Sequence, residues 1–224
     1  CGDLCPFAGA ATRVGVLHRL IDLALPPRCP GCGATVAGQG RFCAGCWSSL
    51  RFLGPPWCAG CNLPFEHHRG DDARCGQCLA DQPAHDGVRA AVAYGAVART
   101  VALRLKYGGR TAYAEAMAAL MRRHLPERPA LLVPVPLHRR RLWWRGYNQA
   151  ALIARALGRG TGMTVALHAL ERHRATPPLR DRSPRERRAT VAGAFRMTDA
   201  GRDAVRGRAV VLVDDVYTSG ATAE

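Results

Sequence analysis

Lysine is nearly missing from this chain: Lys106 is the only one in 224 residues. Aromatic residues are scarce at 6%, and acidic residues number 17 against 32 Lys and Arg, a net charge of +15. That charge favours polyanions: nucleic acid, phosphorylated metabolites or an anionic membrane face. The arginine excess also fits plain codon bias. Long apolar runs are absent; Ala209–Val213 is among the strongest and falls far short of the ~18 residues a membrane helix needs. The first stretch is interrupted by Asp3, Arg13, His18, Arg19 and Asp22, which breaks the pattern of a secretory leader. The cytoplasm is the expected compartment. The chain opens on Cys1 and closes at Glu224, and the expectation is a fragment at both ends.

Cysteine, by contrast, is abundant, and it stops at Cys78. Hydrophobic residues at 48% and charged residues at 22% describe an ordinary globular protein. Three regions separate. Residues 1–27 carry apolar side chains at helical spacing, ended by Pro26 and Pro27. Residues 28–80 are rich in Cys, Gly and Pro and lack apolar period, so they cannot bury much core. Residues 81–224 alternate strand-like and helix-like segments: Val88–Val97 strand, Tyr113–Leu125 helix, Ala130–Pro136 strand, Gln149–Leu157 helix, Ala209–Val213 strand. Such alternation predicts an α/β domain with a parallel sheet and flanking helices.

Four C-x-x-C units punctuate the middle region: Cys29/Cys32, Cys43/Cys46, Cys58/Cys61 and Cys75/Cys78. Each turn aims two thiolates at one ion, and two turns complete a tetrahedral four-thiolate site. Gaps of ten residues (33–42) and thirteen (62–74) suit hairpins and favour sequential over interleaved pairing. Two structural zinc ions would supply the folding free energy that the missing core cannot. A thioredoxin-like redox pair needs one such unit, not four in series. Cys1 and Cys5 have no partner pair, and His67 and His68 read as loop residues. Trp47, Leu50, Phe52, Leu53 and Trp57 offer a small shared core between the two sites.

The segment VVLVDDVYTSGAT (210–222) carries the other chemistry. A buried strand ends in Asp214 and Asp215. Thr218, Ser219, Gly220, Ala221 and Thr222 follow as a small-residue loop whose backbone N–H groups suit a phosphate. Ligands of open α/β sheets sit at the carboxyl ends of the strands, and a pair of carboxylates there suits a diol or a metal-bound sugar.

This segment resembles the phosphoribosyl pyrophosphate signature of type I phosphoribosyltransferases. Together with LPPRCPGCG (25–33), LKYGGR (105–110) and VPVPLHRRRLWWRGYNQA (133–150), it resembles the ComF family. The resemblance implies a double zinc ribbon joined to a phosphoribosyltransferase-like domain. It implies that Asp214 and Asp215 contact the ribose hydroxyls as tentative catalytic residues, and that residues 218–222 hold the 5′-phosphate. It implies phosphoribosyl pyrophosphate bound with Mg2+. It also implies a role in natural competence, the uptake of single-stranded DNA, which would place the protein at the inner face of the membrane beside other competence proteins. In related transferases a loop after an early strand holds pyrophosphate. Here that role falls on Leu137, His138, Arg139 and Arg140, with Arg145 beyond, because arginine clusters suit pyrophosphate. A solvated basic face is the plain alternative. Lys106, as the only lysine, is a weak catalytic candidate beside the reading of a surface lysine. Trp143, Trp144 and Tyr147 are expected to pack against the zinc module rather than to stack nucleic-acid bases. Residues 172–188 read as a basic loop closing over substrate. The rival function is a non-catalytic zinc-ribbon scaffold for single-stranded DNA or for a partner of the uptake machinery.

Overall fold

The computed structural model describes residues 26–177 and 183–217. Nearly all of the expected N-terminal helix, with Cys1 and Cys5, lies outside the described residues, as do Thr218–Thr222.

Regular structure in residues 28–80 is brief. Helices α1 (Ala44–Ser48) and α2 (Gly76–Ala80) each start just after an extended cysteine, Cys43 and Cys75. Single bridges, Arg28 to Thr35 and Trp57 to Pro64, close the rest. The apolar residues of the linker do not make a core of their own. Leu50 is buried, but Trp47 is half exposed and meets Phe52 in a tilted ring contact, centroids 4.8 Å apart.

The strand expected at Val88–Val97 does not form. Val92 makes one bridge, to Phe52, and Gly95 opens helix α3 (Ala96–Tyr107), which takes Val97 with it. Only that one extended partner lies within reach. Val97, Val101 and Leu105 instead recur at helical spacing, and Val101 and Leu105 are buried. Helix α4 (Tyr113–Met121) and a 3-10 turn (Arg122–His124) occupy the helix expected at 113–125. Strand β1 (Ala130–Pro134) leads to a short helix α5 (Arg139–Arg145) in place of the expected basic loop. His138 explains the difference: its ring accepts from the Arg140 N–H at 3.3 Å and caps the helix. Helix α6 (Gln149–Thr161) runs past the expected end at Leu157 until Gly162, at φ 74, stops it.

Strands β2 (Leu170–Arg172) and β3 (Phe195–Met197) form an antiparallel pair. Helix α7 (Pro184–Val191) lies between them in sequence, capped by Ser183 and Glu186 in a reciprocal box. The expected basic loop 172–188 is therefore divided between β2, α7 and residues 178–182, which lie outside the described part. Helix α8 (Asp199–Val205) precedes strand β4 (Ala209–Val213).

β4 pairs with β1 in parallel, Ala130 opposite Ala209 through Pro134 opposite Val213. On its other side Leu132 donates to the Thr164 carbonyl and accepts from the Ala166 N–H, both at 2.9 Å. β1 is thus central, and Leu131, Leu132, Val133 and Pro134 are all buried. Side chains alternate across a strand. Leu132 faces Leu105, Ala118, Ile153, Leu157 and Val213. Leu131 and Val133 face Ala169, Leu170, Ala204 and Val205. Helix α8 reaches this second face only because Gly201 has no Cβ; one there would stand 2.2 Å from the Ala169 carbonyl oxygen. The fold is a mixed α/β structure with a small parallel sheet and an N-terminal cysteine-rich module.

Arginines fasten the module to the sheet region. Arg104 on α3 donates to the carbonyls of Pro30 and Gly31 at 3.0 and 3.1 Å. Arg123 donates to Leu53 and Ala91 and lies 4.8 Å over the Phe52 ring. Arg89 covers the Trp57 ring at 4.7 Å.

Candidate functional site

Cysteines fall into two sequential quartets: Cys29, Cys32, Cys43 and Cys46, then Cys58, Cys61, Cys75 and Cys78. Within each quartet all sulfurs lie within 4.8 Å of one another, and all eight thiols are free of disulfides. A tetrahedral zinc with ~2.3 Å bonds needs sulfurs about 3.8 Å apart; Cys32 to Cys43 and Cys61 to Cys75 stand at 3.6 Å. Backbone N–H groups already point at sulfur: Cys43 to Cys29 Sγ at 3.3 Å and Cys75 to Cys58 Sγ at 3.2 Å. Burial pushes the Cys29 and Cys58 thiols up, but the backbone N–H groups around them prevail and hold each near about 6. Burial, reinforced by neighbouring thiols, pushes Cys46 up to about 12. A quartet holding both thiolates and thiols suits a divalent ion that displaces the remaining protons. Gly31 is required here, since a Cβ would come 2.7 Å from Cys46 Sγ. The two cysteine quartets fit two structural zinc ions. His68 pairs with exposed Asp71 instead of joining the second site.

A second constellation gathers at the carboxyl ends of β1 and β4. Asp214 and Asp215 follow β4 directly, and the Asp215 N–H donates to Asp214 Oδ1 at 2.8 Å. Lys106, at the end of α3, reaches Asp215 Oδ2 at 2.8 Å. Asp215 is almost fully buried and Lys106 is three-quarters so. The single lysine is therefore committed to the acidic turn and is not a surface residue. Gln149, the first residue of α6, donates from Nε2 to Asp215 Oδ1 at 3.5 Å and accepts from Arg145 Nη1 at 2.5 Å. Arg145 also covers the Tyr107 ring at 5.2 Å. Asn148 holds this corner in place: it donates to the Val135 carbonyl and accepts from the Ala150 N–H, both at 3.0 Å.

Burial first, then repulsion from Asp215, pushes the Asp214 carboxyl up to about 7, against the pull of Lys106. Arg172 lies close enough to feel Asp214; burial and the Arg141 charge lower its affinity for the proton. Arg141 itself donates to the Thr176 carbonyl at 2.7 Å. The turn thus offers one carboxylate already neutralised by lysine, one carboxyl that holds its proton more tightly than usual, and two arginines at its border. Such a set can hold a polyol on the carboxyls and an anion on the guanidiniums.

Of the expected pyrophosphate loop, only Arg145 joins this network. Leu137 is half-buried in the connection, buried His138 caps α5, and Arg139 and Arg140 point to solvent. Sequence reasoning misses Gln149 as a site residue and reaches Arg172 only as part of the basic loop 172–188. The available signal for Gln149 is its place after Asn148, at the start of a helix behind a strand. Trp143 and Trp144 do not pack on the zinc module: they are 87% and 73% exposed. Arg141 and Arg145 take the anchored positions of α5, which leaves the indoles outward. Tyr147 does pack, but on the core beside the sheet and not on the zinc module, with its hydroxyl donating to the Leu105 carbonyl at 2.5 Å.

Residues 20–79 match the family model of the double zinc ribbon domain. The DNA utilization protein YhgH of Escherichia coli strain K12 is 32% identical over 212 residues, covering 89% of this chain and 88% of that protein. Competence protein F of Haemophilus influenzae is 28% identical over 204 residues, covering 87% and 86%. Competence protein ComFC of Bacillus subtilis is 24% identical over 192 residues, covering 81% and 74%. No solved structure gives a significant match.

Proposed function

Because the chain belongs to the family of YhgH and competence protein F, we propose that it serves DNA uptake or use by binding phosphoribosyl pyrophosphate at the Asp214–Asp215 turn. One observation carries this reading. Two adjacent carboxyls sit at the carboxyl end of a parallel strand, buried against Lys106 and bordered by Arg145 and Arg172. Asp214 and Asp215 face the ribose hydroxyls in this arrangement. Residues 218–222 hold the 5′-phosphate, and Arg145 and Arg172 meet the pyrophosphate. A magnesium ion carried on the pyrophosphate would neutralise part of its charge. Among the described residues, the only groups of three or more metal-binding side chains are the cysteine quartets.

If transfer occurs, the C1–oxygen bond to pyrophosphate breaks and a nucleophilic atom of an acceptor forms the new bond to C1. Positive charge grows on the ribose beside the carboxyls, and the arginines hold the departing anion. The scaffold reading keeps one support, since Asp215 is already ion-paired with Lys106. Titration of phosphoribosyl pyrophosphate with Mg2+ into zinc-loaded protein in a calorimeter separates the two. Binding that disappears in Asp214→Ala/Asp215→Ala supports the site. No binding by folded, zinc-loaded wild type overturns it.

A further inference from the structure

Helix α5 reads RRRLWWR and presents Leu142, Trp143 and Trp144 to solvent at 41%, 87% and 73% exposure. Exposed tryptophans are costly in water and rare without a partner. The helix is nonetheless held firmly: His138 caps its start, Gly146 at φ 80 ends it, and Arg141 and Arg145 tie it to Thr176 and Gln149. The indoles are therefore displayed on a fixed support. The chain on either side of them carries one sign of charge. Arg139 and Arg140 are exposed and form no ion pair among the described residues, and no acidic residue occurs between Glu127 and Glu171. At the far end of the helix, Arg145 lies over the half-exposed Tyr107 ring.

We propose that α5 is a stacking platform for a single-stranded polynucleotide, with Trp143 and Trp144 under the bases and Arg139 and Arg140 on the phosphates. Flat indoles accept any unpaired base, while guanidiniums follow the backbone. A duplex keeps its bases stacked inside and offers these indoles nothing. An anionic membrane surface would also accept tryptophan and arginine, but the mouth of the acidic turn adjoins α5 through Arg145, and insertion would press that polar site against lipid. The platform does not depend on the phosphoribosyl reading, and either can fail alone.

The test uses zinc-loaded protein and a labelled oligothymidylate, read by anisotropy. The strand binds wild type, and Trp143→Ala/Trp144→Ala weakens it about tenfold or more, in line with the loss of stacked bases. An abasic strand of equal length binds wild type as weakly as oligothymidylate binds that variant. Arg139→Ala/Arg140→Ala flattens the slope of log affinity against log salt by about 1.4, two phosphates at ~0.7 each. Oligouridylate in place of oligothymidylate tells RNA from DNA as the strand preferred. Unchanged zinc content and circular dichroism confirm that these exposed substitutions leave the fold intact. Equal affinity of wild type and the tryptophan variant overturns the proposal, as does equal affinity for the abasic strand. It is likewise overturned if phosphatidylglycerol vesicles, and not the strand, shift the emission of these tryptophans.

Discussion

In residues 28–80 the buried side chains are Cys29, Pro30, Cys46, Leu50, Cys58, Asn62 and Cys78; around the sheet they include Leu105, Leu131, Leu132, Ile153, Leu157 and Val213. The first set is mostly sulfur and the second is hydrocarbon. A segment whose interior is thiol has little hydrophobic free energy to hold it, so its order depends on an ion. A strand flanked on both faces by aliphatic side chains needs none. The joint between the regions is different again. There, arginine donors meet backbone carbonyls and aromatic faces, as Arg104 does at Pro30 and Gly31. A chain almost without lysine has thus turned arginine to structural use, through a planar fork that lysine lacks.

Metal removal probes this contrast most strongly. Structural zinc contributes ~10–16 kcal/mol per site in small zinc-binding peptides. Chelation is expected to abolish amide protection across residues 28–80 and leave β1, β4 and α6 protected, as read by hydrogen exchange. Equal loss in both regions would show that the sheet cannot stand without the module. Leu132→Ala works from the other side. It empties a fully buried position and should cost about 2–5 kcal/mol in urea unfolding of zinc-loaded protein, with zinc content unchanged.

A smaller effect comes from Asp214. Its folded carboxyl keeps a proton up to about 7, whereas in the unfolded chain it releases that proton near its ordinary 3.8. Between these values the folded state binds more protons, so the contribution of Asp214 to stability falls as pH rises. Asp214→Asn should remove that decline. The difference in urea midpoint between variant and wild type should grow in the variant's favour from pH about 4 to about 7, with the zinc contribution cancelling between them. A flat difference would mean that Asp214 is ionised throughout.

Legibility in the sequence tracks how local each cause is. Four C-x-x-C units announce two quartets because ligand spacing is a short-range property. The β1 segment announces itself because a strand buried on both faces is apolar without interruption; β4 is equally apolar, yet Val210 and Leu212 on one of its faces are exposed, so the expectation of a buried strand holds there only for the face of Val213. Val88–Val97 misleads because it is apolar and carries valines and a tyrosine, yet whether a strand forms depends on a partner supplied by distant residues. Trp143 and Trp144 mislead for a related reason: composition says that tryptophan is buried, and only the anchoring of Arg141 and Arg145 turns these two outward.

By itself the sequence determined the ligand sets, the aliphatic strands and the acidic turn, all of which are fixed within a few consecutive residues. The tertiary structure alone decided that Lys106 belongs to Asp215, that Gln149 bridges Arg145 to the same carboxylate, and that the indoles of α5 face water. These depend on contacts between residues far apart in the chain, and no local rule of spacing or propensity reaches across that distance.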